Sequence, residues 1–199
     1  MKITLKMSKQ QENTSLAIKA IKAGILIGLG CIAYITVENK YIGAGLFSLG
    51  LLGILTQELK LYTGVIGFLG RKEDIIPGLI ILGGNLLGIG ALGLISSGLV
   101  PSCSSLIYGK LGKSFFEVLF SSWACGILMY TAVMGYRKGY PIIVVISIMF
   151  FILCGFDHCI ANYFYMTNSG ILFDWRLPVM IFGNSLGSWT LSKFLPSPT

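Results

Sequence analysis

Charge is what this sequence has least of. Asp, Glu, Lys and Arg make up 12% of its 199 residues, about half the share carried by a soluble domain. There is a single histidine, His158, and the five cysteines (Cys31, Cys103, Cys125, Cys154, Cys159) contain no CxxC pair. HExxH does not occur, and the one GxSxG match, GNSLG at 183–187, lies inside an apolar run rather than at a strand-to-helix turn, so it makes no nucleophile elbow and no enzyme is expected. An odd number of cysteines, four of them inside apolar stretches, reads as packing rather than as a disulfide framework or metal site. No metal and no cofactor are expected. The basic residues flank apolar runs without forming a continuous patch, which leaves nucleic-acid binding unsupported.

What fills the chain instead is hydrophobic, at 54% of residues. Such a chain is expected to be an all-α polytopic membrane protein, because in lipid the backbone must satisfy its own hydrogen bonds. At roughly 20 residues per crossing there is room for about six or seven spans. Six segments emerge, at about 17–37, 42–69, 77–99, 115–136, 141–165 and 171–195. The polar stretch MKITLKMSKQQENTS ahead of the first is too long for a signal-peptide n-region, and no cleavage site follows, so no removed signal is expected.

The net charge of +7 fits Lys- and Arg-rich cytoplasmic loops. With the N-terminus inside, the cytoplasmic set is Lys2, Lys6, Lys9, Lys19, Lys22, Arg71, Lys72, Arg137, Lys138 and Lys193. The outer set is smaller: Lys40, Lys110, Lys113 and Arg176. Both termini are therefore expected in the cytoplasm of a cell-membrane protein. Lys60 falls inside the second segment and counts for neither side.

The two halves echo each other. CIAYITV at 31–37 returns loosely as ILMYTAV at 127–133, a shift of 96 that places Tyr34 on Tyr130. GNLLG at 84–88 returns as GNSLG at 183–187, a shift of 99. The pattern predicts one domain made of a three-span unit used twice, at about 16–100 and 113–196. An odd number of spans per unit requires the copies to face opposite ways, with a permeation site where discontinuous helices meet. The small residues of GNxLG also let helices approach closely.

Segments two and five sit at matching places in that repeat, and each carries polar residues mid-course. In TQELKLYTG at 56–64 these are Glu58, Lys60 and Thr63; in GFDHCIAN at 155–162 they are Asp157 and His158. A charge near the bilayer centre costs at least about 2.5 kcal/mol, so such residues line a cavity or pair with each other. Asp157 could hold the imidazole or the broken backbone. Lys60 could snorkel or pair with Glu58. The run Asp157-His158-Cys159 looks like a catalytic string, but adjacent helical residues point in different directions.

These residues resemble the formate/nitrite transporter family. GFDHCIANYF at 155–164 is similar to that family's fifth-span signature, usually GFEHSIANMF; LYTG at 61–64 resembles its second-span motif; and KLGKSFFE at 110–117 resembles the stretch before span four that holds a functional lysine. The resemblance implies a homopentamer of aquaporin-like fold with a pore in each protomer. It makes His158 the pore histidine, Thr63 its polar partner and Lys110 the vestibule lysine, with Lys113 a competitor for that role. Leu51 and Leu61 fall at apolar pore positions, Phe47 and Phe151 at an aromatic constriction, and Asp157 and Asn162 within the signature. The sequence departs from the family at Asp157 and Cys159, usually Glu and Ser, and at Lys60, usually acidic. Gly126 stands where the fourth span often has Asn, which would remove a partner of the histidine.

The implied substrate is a small monovalent weak-acid anion: formate, nitrite or hydrosulfide. Lys110 would attract it, and His158 would give it a hydrogen bond or a proton so that it crosses the apolar throat. Two other readings use the same features, an aquaporin-like pore for neutral solutes and a structural subunit that conducts nothing.

Overall fold

The computed structural model describes residues 8–194; Lys2, Lys6 and the expected end of the last span at Leu195 lie outside them. Among the described residues the chain is helical throughout, and its nine α-helices follow the sequence closely. α1 is Lys9–Thr36, α2 Lys40–Thr56, α3 Tyr62–Val65, α4 Ile75–Ser96, α5 Ser104–Leu111, α6 Phe115–Arg137, α7 Ile142–Leu153, α8 Cys159–Asn168 and α9 Arg176–Phe194. A 3-10 turn, Ile66–Phe68, extends α3. α1, α4 with its lead-in, and α6 are long and apolar enough to cross a membrane, whereas the apolar α2 and α7 are too short alone.

Local chemistry sets the boundaries. α1 begins eight residues before the apolar run because Ser8 and Gln11 form a capping box, Ser8 Oγ accepting from Gln11 N and Gln11 Oε1 from Ser8 N. That satisfies two donors that a helix start leaves orphaned. Ser114 and Glu117 repeat the device at α6. Asn39 caps α2 by accepting from Tyr41 N and Ile42 N at 3.0 and 3.2 Å. α5 was not expected; it lies between α4 and α6 as a short segment outside the apolar runs.

α1 packs against α2 and α4, and α6 against α7 and α9. The halves then cross: α8 lies against α4, the 3-10 turn after α3 lies against α9, and α2 meets α7. The GNxLG glycines make the long pairs close. A Cβ on Gly84 would sit 2.6 Å from Ala20 Cβ, and one on Gly183 would sit 2.6 Å from Ser122 Cβ. Gly88 and Gly187 similarly abut the carbonyls of Ile21 and Trp123.

These contacts correct the register of the first repeat match. Ala20 and Ser122 hold the same place, as do Ile21 and Trp123, so along the first helix of each half Tyr34 corresponds to Tyr136 rather than Tyr130. Many large apolar side chains face outward, among them Leu79, Ile95, Phe116, Phe120 and Phe182, each at least 60% exposed. An aqueous surface would not sustain such a face.

Candidate functional site

Both short apolar helices end in a break of the same construction. After α2 the chain turns through Glu58 at φ 54°, and Leu59 N donates to Ile54 O at 2.9 Å. After α7 it turns through Gly155 at φ 69°, and Phe156 N donates to Phe151 O at 2.9 Å. Glycine enters that left-handed region freely, whereas a side chain at Glu58 resists it. A few extended residues follow each turn, and a new helix then starts at an N-cap residue, Leu61 in one case and His158 in the other.

Each break is held by one buried asparagine from the recurring GNxLG motif. Asn85 Oδ1 accepts from Tyr62 N at 2.7 Å, while its Nδ2 donates to Lys60 O and Ala20 O, both at 2.8 Å. Asn184 Oδ1 accepts from Cys159 N at 2.8 Å, and its Nδ2 donates to Asp157 O and Ser122 O, both at 2.8 Å. Both amides are fully buried and fully used. Each satisfies the first helical N–H and the carbonyl two residues before it, groups that a chain break would otherwise leave orphaned. The motif is thus both a close-packing and a bracing device. Its recurrence in the sequence carried that signal, but reading it only as small residues missed the amide.

His158 caps α8 with its own ring. Nδ1 accepts from Ala161 N at 3.1 Å. An acceptor nitrogen carries no proton, so in this arrangement the hydrogen of the neutral ring sits on Nε2. Nε2 lies 2.7 Å from Thr63 Oγ1 and donates to it. Phe151 stacks on the imidazole with centroids 5.6 Å apart, and Phe47 meets Phe151 edge-on at 6.0 Å. His158, Thr63, Phe47, Phe151, Leu51 and Leu61 are all at most 3% exposed.

The Asp157 carboxylate does not hold the ring; it ties down the broken backbone through Asn162 and two lysines. Oδ1 accepts from Lys110 Nζ at 2.8 Å and from Asn162 Nδ2 at 3.0 Å, and Oδ2 accepts from Lys113 Nζ at 2.7 Å. Both ammoniums also donate to Gly155 O, each at 3.2 Å. The two lysines that seemed alternatives therefore act together, fastening α5 and the residues after it over the second break. Burial lowers the Lys110 ammonium from its ordinary pKa, while the Asp157 carboxylate pulls it back up. Glu58 and Lys60 form no ion pair. Gly126 proves to be a contact position, since a Cβ there would strike the Asn184 carbonyl.

Two cavities open on the site. One of about 90 Å³ is lined by Phe47, Phe151, Lys110, Asn162, Tyr34 and Tyr165 among others. The other, about 310 Å³, is lined by Leu51, Leu61, Gly64, Glu58, Lys60 and Arg137 among others. Phe47 and Leu51 are one turn apart on α2 and face different cavities. His158 stacks on Phe151 of the first, and Thr63 is flanked by Leu61 and Gly64 of the second. Their hydrogen bond therefore joins residues adjacent to the linings of both cavities, and each cavity has a lysine in its lining.

Comparison with known proteins agrees with this geometry. The sequence profile of the Formate/nitrite transporter family matches residues 3–196. The formate channel FocB of Escherichia coli K12 is 24% identical over 186 residues, covering 77% of this chain and 66% of that protein's length. A solved pentameric formate channel with formate bound superimposes with a TM-score of 0.81 at 21% identity, over 94% of this chain and 97% of that one. A solved ion channel of the FNT family gives 0.75 at 19% identity, over 91% and 88%.

Proposed function

The chain belongs to the formate/nitrite transporter family, and from that premise we propose that it passes small monovalent weak-acid anions, formate, nitrite or hydrosulfide, through a pore in each protomer of a pentamer. Six spans form two three-span units of opposite orientation, α2–α3 and α7–α8 being the broken spans. The excess of basic residues on one side puts both termini in the cytoplasm.

The observation that carries this reading is the 2.7 Å bond between Thr63 and His158, set between two mouths that each hold a lysine. Taking a bare carboxylate into a dry throat costs on the order of 20 kcal/mol in the idealised limit. Two hydrogen bonds to a charged group return about 1.5–3 kcal/mol each, too little. Protonating a carboxylate of pKa about 4 at neutral pH costs only about 4 kcal/mol. The cheaper route is passage as the weak acid, with a proton taken up at one mouth and released at the other. In that route the neutral imidazole is a hydrogen-bond donor: its Nε2–H and the Thr63 hydroxyl replace lost water as the substrate passes. Protonating Nδ1 would break the cap on α8, because Ala161 N–H already occupies that nitrogen.

His158→Ala tests the reading. Fluxes of formate, nitrite and hydrosulfide into proteoliposomes, measured between about pH 5 and 8, are expected to change in relative rate by about tenfold or more, the worth of one such hydrogen bond. Wild-type-like fluxes for all three anions across the range would remove the role assigned to the ring. Uptake of neutral solutes with no anion flux would replace the reading with a neutral-solute pore.

A further inference from the structure

The two breaks correspond residue by residue, and at one position they differ in sign of charge. Lys60 and Asp157 each precede the N-cap residue of the short helix, and the backbone carbonyl of each accepts from its bracing asparagine at 2.8 Å. Asp157 is fully buried and carries two lysines. Lys60 is half-buried and faces the 310 Å³ cavity together with Leu51 and Leu61. Among the described residues its ammonium makes no hydrogen bond and no ion pair. Glu58 lines the same cavity without reaching it, and Arg137 adds a second cation whose guanidinium lies 3.8 Å from the centre of the Phe68 ring.

We propose that this cavity is an anion-binding site centred on Lys60, which loads the pore from the mouth opposite Lys110. The ligand class is a small monovalent oxyanion, a short carboxylate or nitrite, held with part of its hydration shell. The space permits this: a water molecule takes about 30 Å³, so a hydrated ion fits in a cavity of 310 Å³ where a bare one would rattle. Two cations against one carboxylate leave the mouth positive, and low-dielectric walls of leucine and valine focus that potential on the entrance. The Lys110 mouth reaches the same balance by another route, two lysines against Asp157. Both ends therefore attract the same sign of charge, and entry is favoured from either side. This inference rests on the anion-channel reading above.

The test uses the full-length protein reconstituted in one orientation into proteoliposomes, with formate and then nitrite presented on one side at a time and flux followed by the pH change that accompanies weak-acid passage. In Lys60→Gln the half-saturating concentration on the Lys60 side is expected to rise about fivefold, the factor that a unit charge a few ångströms away gives in water. Lys60→Glu raises it further, Lys60→Arg restores it, and entry from the Lys110 side keeps its wild-type half-saturation. High salt abolishes the difference. Equal changes on both sides, or none, overturn the proposal. If wild-type protein passes neither anion, the anion-channel reading fails and the site is judged by binding alone. Broadening of the carbon-13 line of labelled formate by solubilised wild-type protein, lost in Lys60→Gln, then supports it, and identical lines for both proteins refute it.

Discussion

At the residue scale the site turns on which atoms carry hydrogen. Ala161 N–H fixes Nδ1 of His158 as an acceptor, which leaves the Nε2 hydrogen aimed at Thr63. The threonine hydroxyl accepts that bond, and on the proposed reading its own hydrogen is offered to a substrate oxygen. Thr63→Val has nearly the same shape but offers no oxygen, so it leaves a buried N–H unsatisfied, at a cost of about 1–3 kcal/mol. Thr63→Ser keeps the oxygen. Formate flux in proteoliposomes is expected to fall about tenfold or more in the valine variant and to stay near wild type in the serine variant. Equal loss in both would mean that the methyl, not the hydroxyl, matters. His158, Thr63 and Asp157 were legible in the sequence because polar residues interrupting apolar runs demand an explanation. What could not be read there was orientation: which nitrogen caps the helix, and whether a carboxylate next to a histidine turns toward it or away. Asp157 turns away, because Lys110 of α5 and Lys113 just after it claim its two oxygens.

At the element scale, α2–α3 and α7–α8 are each a helix pair parted by a break, and a break needs something to hold it. Asn85 and Asn184 do this through three hydrogen bonds apiece. Removing either amide orphans one N–H and two carbonyls, which at about 1–3 kcal/mol each makes a loss of about 3 kcal/mol or more. Asn85→Ala and Asn184→Ala are therefore expected to lower the unfolding midpoint of the solubilised protein well beyond Leu87→Ala. Leu87 shares the GNLLG motif but is 63% exposed. Equal shifts for all three would show the motif to be packing alone. The apolar runs announced the long helices, since hydropathy is a sum over many residues and tolerates error. The start of α1 depended on one capping box, and α5 on eight residues of mixed character, signals too small to stand out. The register of the first repeat match failed for a related reason. Similar letters in Gly- and Leu-rich helices are common, whereas the contacts that define equivalence, Gly24 on Asn85 and Gly126 on Asn184, are invisible until the helices are packed.

At the scale of the whole molecule, the outward apolar side chains and the sidedness of the basic residues make a claim about placement in the membrane. If the units oppose each other and both termini are cytoplasmic, Lys40 and Lys110 lie outside while Lys72 and Lys138 lie inside. Cysteine scanning reads this directly, because the five native thiols are free and only Cys154 is exposed, the other four being buried. With Cys154→Ser as the background, a membrane-impermeant maleimide added to intact cells is expected to label Lys40→Cys and to spare Lys72→Cys and Lys138→Cys until the membrane is opened. Lys40 is a fair reporter: it is exposed, and its ammonium caps the carbonyls of Tyr34 and Val37 at 3.4 Å and lies over the Tyr34 ring. The reverse pattern would invert the molecule and put Lys60, not Lys110, at the outer mouth. The site would survive that result, because each mouth carries its own surplus of positive charge; only the side from which each lysine draws its anions would change.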